Sequence, residues 1–298
     1  VPLLVAMAFF GVCFALVFNS FQTFMRGEAP PGGLIRTVGL YTLAWSGGSS
    51  IGIIASGTLY RLGAPILVLV TVVVGLAVFV ILACHRQRPR DAPSAEEPVA
   101  ISADDDRLRS RYVWVAWLII FATMFAQRPI LTFFPAISAQ RSVSPAMASL
   151  PLFLHMVIQA LFGLYMMRLP KLFYRRWPLL AVQGGAAVIL GLVWLQPQFR
   201  VAAVAIALLG VWSGFAYYLA VFYASNAGNR SRNIGVNEFL VGLGSSAGLF
   251  LSEAVMKRPG AQSSLYLVCG LAVLVAALAQ VLIAGGARRP AADGAARI

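Results

Sequence analysis

Long apolar segments constrain the fold of this chain more than any other feature of its sequence. A helix needs about 20 predominantly apolar residues to cross a bilayer, and nine segments meet that requirement. They run over residues 2–25, 36–60, 64–84, 112–137, 146–167, 178–196, 201–224, 233–256 and 264–285. The sequence therefore predicts an all-α polytopic membrane protein with nine transmembrane helices.

The composition excludes an ordinary soluble domain. The chain has 298 residues, of which 60% are hydrophobic and only 11% are charged, whereas soluble domains contain about 25% charged residues. The formal net charge of +13 is compatible with nucleic-acid binding, but the basic residues lie in short loops between apolar segments and do not form one basic face. We therefore expect the lipid bilayer, and not nucleic acid, to be the partner of this chain.

One polar, charged segment divides the apolar pattern. Residues 85–111 have no apolar stripe of helical period and predict a solvated linker. Most of the 23 Lys and Arg residues lie in alternate loops on one side, and basic loops are typical of the cytoplasmic side. The predicted organisation is a partial bundle of three spans (1–84), a cytoplasmic linker (85–111), a six-helix bundle (112–286) and a cytoplasmic tail (287–298), in the plasma (inner) membrane.

The second and eighth predicted spans repeat one another at an offset of 196 residues without a gap. The identical pairs are Arg36/Arg232, Gly39/Gly235, Gly48/Gly244, Ser49/Ser245, Ser50/Ser246, Gly52/Gly248 and Ser56/Ser252. Two spans that are six spans apart point the same way across the membrane, which indicates a parallel repeat of two halves. If the halves are equal, the chain is the 3+6 part of a 6+6 protein. The alternative is a true nine-span protein, and the upstream reading frame of the gene would separate the two.

Small residues on these two spans also predict close helix packing, since in lipid they allow two backbones to approach. The predicted packing positions are Gly39, Gly48, Gly52 and Gly57 on the second span, and Gly235, Gly244 and Gly248 on the eighth.

Two halves in parallel repeat, joined by a cytoplasmic linker, resemble the major facilitator superfamily (MFS) without its first three transmembrane helices. The nine spans then resemble the family's fourth to twelfth helices. The second span matches the G-x8-G-x3-G-P-x2-G-G pattern of the family's fifth helix at its glycines, with Ile53 and Ser56 replacing a Pro and a Gly. The resemblance implies a secondary transporter that moves a small molecule by alternating access.

Polar side chains within spans favour the protein interior, because an unpartnered polar group in hydrocarbon costs several kcal/mol. In the family, the fourth, seventh and tenth helices line the central cavity, and these resemble the first, fourth and seventh spans. The candidate substrate-binding residues are Asn19, Gln22, Gln127, Arg128, Trp212, Tyr217 and Tyr218. For Arg128 three interpretations stay open: a snorkelling side chain, a ligand for an anionic or polar substrate, or a member of an ion pair.

Glu238 and His155 are the candidate coupling residues, since protonatable side chains within spans often carry protons in transporters. A solvated or capping Glu238 and a packing His155 are the alternatives. The sequence contains no CxxC motif, HExxH motif, nucleophile elbow or phosphate-binding loop, so we expect no cofactor, no metal site, no catalytic residues and no enzymatic activity. The alternative function is a non-transporting membrane scaffold or sensor with the same fold.

Overall fold

A computed structural model of the chain describes residues 33–59, 62–84, 103–257 and 261–285. These residues form eight α-helices and no strand. The helices are α1 (Leu34–Leu59), α2 (Ala64–Cys84), α3 (Ala103–Gln140), α4 (Pro145–Met166), α5 (Arg176–Leu195), α6 (Phe199–Ser225), α7 (Arg230–Met256) and α8 (Ser264–Gly285). The all-α prediction is confirmed for the described part of the chain.

Within the described residues, seven helices are long and apolar enough to cross a membrane. The remaining helix, α2, contributes a shorter apolar helix over Val68–Ile81. The first predicted span, 2–25, lies outside the described residues. The predicted count of nine is therefore not confirmed, and the predicted domain boundaries stay predictions.

The helix α3 begins earlier than the sequence suggested. It starts at Ala103, so the last residues of the predicted linker 85–111 are helical. Asp106 lies in its first turn, where a carboxylate is favoured by the partial positive charge of the helix N-terminus. Apolar periodicity detects only the part of a helix inside the bilayer, and this explains why the polar extension was assigned to the linker.

Local sequence explains where α4 begins and why α3 and α4 continue through prolines. The side chain of Ser144 accepts a hydrogen bond from the backbone N–H of Met147, and Pro145 occupies the start of the helix, where its missing N–H costs nothing. Helix α3 continues through Pro129 and Pro135, as membrane helices do when neighbouring groups satisfy the released carbonyls.

Helix α6 is the most buried helix of the structure, and every residue from Trp212 to Ser225 is buried. It packs against α4 and α3, and α1 packs against α4 and also contacts α6. Helix α3 also contacts α7 and α8, and α5 packs on α8. A Cβ on Gly214 would lie 2.6 Å from the backbone oxygen of Gln159, so α4 and α6 approach closely because this position has no side chain.

The glycines predicted to pack helices divide into two groups. Gly39 faces the side chain of Met167, and Gly244 and Gly248 face the backbone of α3. In contrast, a Cβ on three others would meet no atom within 4 Å in the described structure; these are Gly48, Gly52 and Gly235. No described atom tests the packing prediction at these three positions, so it stays a prediction there. The surroundings of Gly57 lie outside the description.

Candidate functional site

A chain of hydrogen bonds between buried polar side chains connects three helices. On α3, the Gln127 amide nitrogen donates to Gln159 Oε1 at 2.7 Å and lies 2.8 Å from His155 Nε2. On α4, the Gln159 amide nitrogen donates to Ser46 Oγ of α1 at 2.8 Å. These four side chains expose between 0% and 4% of their surface. We call them the polar chain; it connects α1 with α3 through α4.

The hydrogen-bond partners of His155 define its protonation state. Its Nδ1 lies 2.8 Å from the backbone oxygen of Ile206 on α6. That oxygen can only accept, so Nδ1 carries a proton and donates. On the other side, Nε2 lies near the Gln127 amide nitrogen and 3.1 Å from Ser213 Oγ. As the Gln127 amide is placed, its nitrogen donates and Nε2 accepts, and this arrangement fits a neutral imidazole.

A second group of side chains surrounds Tyr217 at the contact between α1 and α6. The Tyr217 ring is stacked with Tyr41 and with Trp45, each at a centroid distance of 6.4 Å and with interplanar angles of 23° and 5°. A side-chain hydrogen bond also connects Tyr41 and Tyr217, and both Glu238 and Arg128 lie within electrostatic range of Tyr217. We call these five residues the central cluster; they come from α1, α3, α6 and α7.

Arg128 is the least satisfied member of the central cluster. Its side chain is half-buried in the middle of α3. It forms no hydrogen bond and no ion pair with any residue in the described part of the chain. A guanidinium presents five N–H donors in a planar arrangement that matches a carboxylate or phosphate. An anionic group is therefore the kind of ligand that the Arg128 side chain could hold.

The structure separates the other predicted substrate-binding residues from one another. Gln127 lies in the polar chain, whereas the hydroxyl of Tyr218 donates to the backbone oxygen of Ile35 at 2.8 Å. Trp212 is buried, and its indole nitrogen has no hydrogen-bond partner among the described residues. Tyr217 and Tyr218 both contact α1, but at different places: Tyr217 stacks with Tyr41 and Trp45, whereas Tyr218 bonds near the start of the helix. Asn19 and Gln22 lie outside the described residues.

The sequence analysis missed Tyr41 and Trp45 of the central cluster, as well as Ser46 and Ser213. A signal was present for the first two, because aromatic residues four positions apart share one face of a helix. The two serines carried no local signal. Serine side chains in membrane helices commonly donate a hydrogen bond to the backbone of their own helix, as Ser50 does to the backbone oxygen of Gly47.

An aromatic group closes one end of the bundle, where the segment between α4 and α5 folds against α6. Tyr174 adopts a left-handed backbone conformation with a φ of 56°. Its hydroxyl accepts from the Asn226 amide at 2.7 Å, and its N–H donates to the hydroxyl of Tyr223 at 3.1 Å. Burial raises the pKa of Tyr174 above its usual value, and the Asn226 hydrogen bond and the Arg109 charge oppose that change.

Within the described residues, no group of three or more His, Cys, Asp or Glu side chains could hold a metal ion. The comparison with protein families gives a positive result: the family model described as Major Facilitator Superfamily matches residues 116–297. The chain belongs to the major facilitator superfamily. No curated protein and no solved structure matches it. The MFS match begins within α3 and continues beyond the end of α8, so it includes most of the polar chain and three of the five residues of the central cluster.

Membership of the MFS makes this chain a multi-pass membrane transporter that acts on a small molecule within a lipid bilayer. Helices α3 and α6 are the fourth and seventh predicted spans, which resemble the cavity-lining helices of the superfamily. They contribute Arg128 and Tyr217 to the central cluster.

Proposed function

We propose that this MFS protein is a secondary active transporter that moves a small anionic solute by alternating access, and that the solute binds at the central cluster. The contact of Tyr217 with Tyr41 and Trp45 carries this proposal, since it joins a helix from each of the two predicted halves. Arg128 and Glu238 lie within electrostatic range of the same Tyr217. A site between repeats becomes accessible from alternate sides when the repeats rock against each other.

The chemistry of the cluster supports an anionic solute. A charged group inside a membrane protein is costly unless it has a partner, and Arg128 has none among the described residues. A carboxylate or phosphate on the solute would supply two parallel hydrogen bonds to the guanidinium. The stacked rings of Trp45 and Tyr217 offer an apolar wall for the rest of the solute. An ion or solute gradient would supply the energy, because the sequence has no nucleotide-binding loop.

The first experiment is a ligand screen on the full-length product of the gene. The purified protein is heated with small carboxylates and phosphates, and a compound that raises the unfolding temperature is then tested for counterflow in proteoliposomes. Arg128→Gln should weaken binding of the compound by at least about tenfold, because a hydrogen bond to a charged group contributes about 1.5–3 kcal/mol. Arg128→Lys should retain part of the affinity.

Arg200→Gln is the matched control, since Arg200 is exposed near the start of α6. If Arg128→Gln binds the compound as tightly as the unaltered protein, the solute site lies elsewhere. If a stabilising compound shows no counterflow, the alternative of a non-transporting scaffold or sensor is favoured. The proposal assigns no catalytic step to the chain.

The charge bias also leads us to propose a plasma (inner) membrane location with the C-terminus in the cytoplasm. A phosphatase fused to the C-terminus, which is active only outside the cytoplasm, should therefore be inactive.

A further inference from the structure

The polar chain has a direction, which the placement of the amide groups of Gln127 and Gln159 sets. Starting at α1, Ser46 accepts from Gln159, Gln159 accepts from Gln127, and the Gln127 amide nitrogen donates to His155. Both N–H groups of the Gln127 amide are therefore used. An amide offers donors at one end and an acceptor at the other, so this direction requires an acceptor at His155 Nε2. Only a neutral His155 supplies it.

We propose that His155 is a proton-binding site, and that its proton reverses the polar chain and loosens the contact between α1 and α4. This inference rests on the proposed transport function, because it names the coupling ion of that transport. It goes beyond the solute site, since no residue of the polar chain belongs to the central cluster.

Protonation has a defined consequence at each bond. The new N–H at Nε2 faces the Gln127 amide nitrogen, and two donors cannot bond. The Gln127 amide must turn over so that its oxygen accepts from His155. The Gln127 oxygen then faces the oxygen of Gln159, so the Gln159 amide must turn over as well. Ser46, at the end of the chain, changes from acceptor to donor. Ser213 offers Nε2 a second acceptor, since its hydroxyl is 3.2 Å from the backbone oxygen of Leu209 and can donate there.

The charge that the proton brings has no nearby carboxylate. Helices α1, α4 and α6 contain no Asp or Glu, and those of α3 lie at its start. The titratable groups near these side chains in sequence are Tyr41 on α1, Arg128 on α3, and Tyr217 and Tyr218 on α6. Arg128 carries a like charge. Glu238 on α7 is within electrostatic range of Tyr217.

A buried imidazolium without a counter-ion is costly in a dry contact. Water or an anion lowers that cost, and either requires α1 and α4 to separate at Ser46. A proton that binds the separated state more tightly shifts the population toward that state as the pH falls. The closed contact seen here is the state with neutral His155, so it is favoured at high pH and lost at low pH.

The test needs no solute, so it is independent of the proposed function. The sequence contains two histidines, His85 and His155. The full-length protein carries glutamine at His85 and at every histidine outside these 298 residues, so that His155 gives the one signal when histidine is labelled with nitrogen-15. We expect a neutral ring with its proton on Nδ1 at about pH 8, and conversion to the imidazolium as the pH is lowered.

The second readout is the α1–α4 distance, measured by pulsed electron resonance between spin labels. The labels are placed at the exposed positions Ala44 and Leu161, in a background with alanine at Cys13, Cys84 and Cys269. The distance should increase over the same pH interval in which the ring titrates. His155→Gln should abolish this shift, and Ser46→Ala should abolish it while the ring still titrates.

Thr42→Val is the matched control for Ser46→Ala. Thr42 lies one turn away on α1, is fully buried, and donates to its own backbone at Val38. This variant should keep the pH-dependent distance. A ring that stays neutral throughout, or a distance shift of the same size in Ser46→Ala, would overturn the proposal. Neither result depends on binding at Arg128, so the solute site is tested separately by the ligand screen.

Discussion

The helices α1 and α7 share one glycine spacing, but the glycine faces have different surroundings. On α7, a Cβ on Gly248 would lie 2.8 Å from the carbonyl carbon of Phe125, so α3 and α7 are in backbone contact there. On α1, a Cβ on Gly52 would meet no atom within 4 Å among the described residues, and the same is true of Gly48. At these two pairs of positions, the repeated pattern is therefore used for close packing in α7 only, within the described structure.

The difference between the two helices shows that small residues permit a close approach but do not by themselves bring a second helix near. Small residues on a helix permit a neighbouring backbone to come near, and dispersion contacts then hold the two together. The gain exists only where a second helix is present. The two copies thus form an internal control, in which the same substitution is made in the same local sequence with and without a packed neighbour.

The largest difference is expected between Gly248→Ala and Gly52→Ala. The new methyl group at 248 falls on the backbone of Phe125, which cannot move without displacing α3, so we expect a loss of about 2–3 kcal/mol in unfolding free energy. At 52 the methyl group meets no atom of the described residues, and the higher helix propensity of alanine should give between zero and about 1 kcal/mol of gain. Unfolding of the full-length protein in mixed micelles measures both.

Equal losses at the two positions would contradict the comparison. They would show that a helix also packs against Gly52, and the two faces would then be equivalent. A loss at Gly248 alone sharpens the comparison, because it assigns the cost to the α3 backbone and not to the repeated sequence.

The glycine spacing and the helices were predictable, because both depend on local pattern. The structure confirms helices at the second to ninth predicted spans, and it brings Gln127 and His155 together as interior positions. What covers each glycine was not predictable, since it depends on which helix lies opposite. The same limit applies to the polar chain: Ser46 and Gln159 bond across 113 residues, and no local pattern encodes such a pair.

Adjacent residues show the limit most clearly. The sequence grouped Gln127 with Arg128 as cavity candidates, and Tyr217 with Tyr218. The structure directs Gln127 to the polar chain and places Arg128 within range of Tyr217. Side chains one position apart on a helix differ by about 100° in direction. Polar content therefore indicated helices with polar interior side chains, whereas the contacts of each side chain followed only from the packing.

An intermediate difference is expected between Gly244→Ala and Gly48→Ala. A Cβ at 244 would lie 2.6 Å from the carbonyl oxygen of Phe121 and 3.3 Å from the side chain of Met124. Only one backbone atom is crowded severely, so we expect a loss of about 1–2 kcal/mol, with little change at Gly48. The same unfolding measurement applies. A loss at Gly244 larger than that at Gly248 would show that the crowding does not follow the backbone geometry.

The smallest effect is expected where the comparison reverses, at the start of the repeat. Here the α1 copy is packed and the α7 copy is open: a Cβ on Gly39 would meet the side chain of Met167, whereas one on Gly235 meets no described atom within 4 Å. The crowded atoms belong to the end of a flexible side chain, which can move aside. We therefore expect Gly39→Ala to cost less than about 1 kcal/mol, and Gly235→Ala to cost nothing.

A double-mutant cycle decides whether Met167 is the cause. Truncation by Met167→Ala removes the crowded atoms, so the Gly39→Ala cost should disappear in that background, with a coupling energy of about 0.5–1 kcal/mol. Additive effects would mean that Gly39 is needed for its backbone freedom and not for the space it leaves. Gly39 on α1 would then be required for its backbone conformation, whereas Gly248 on α7 is required for the space it leaves to the α3 backbone. The two copies of the repeat would therefore differ in the role of the glycine as well as in the neighbouring helix.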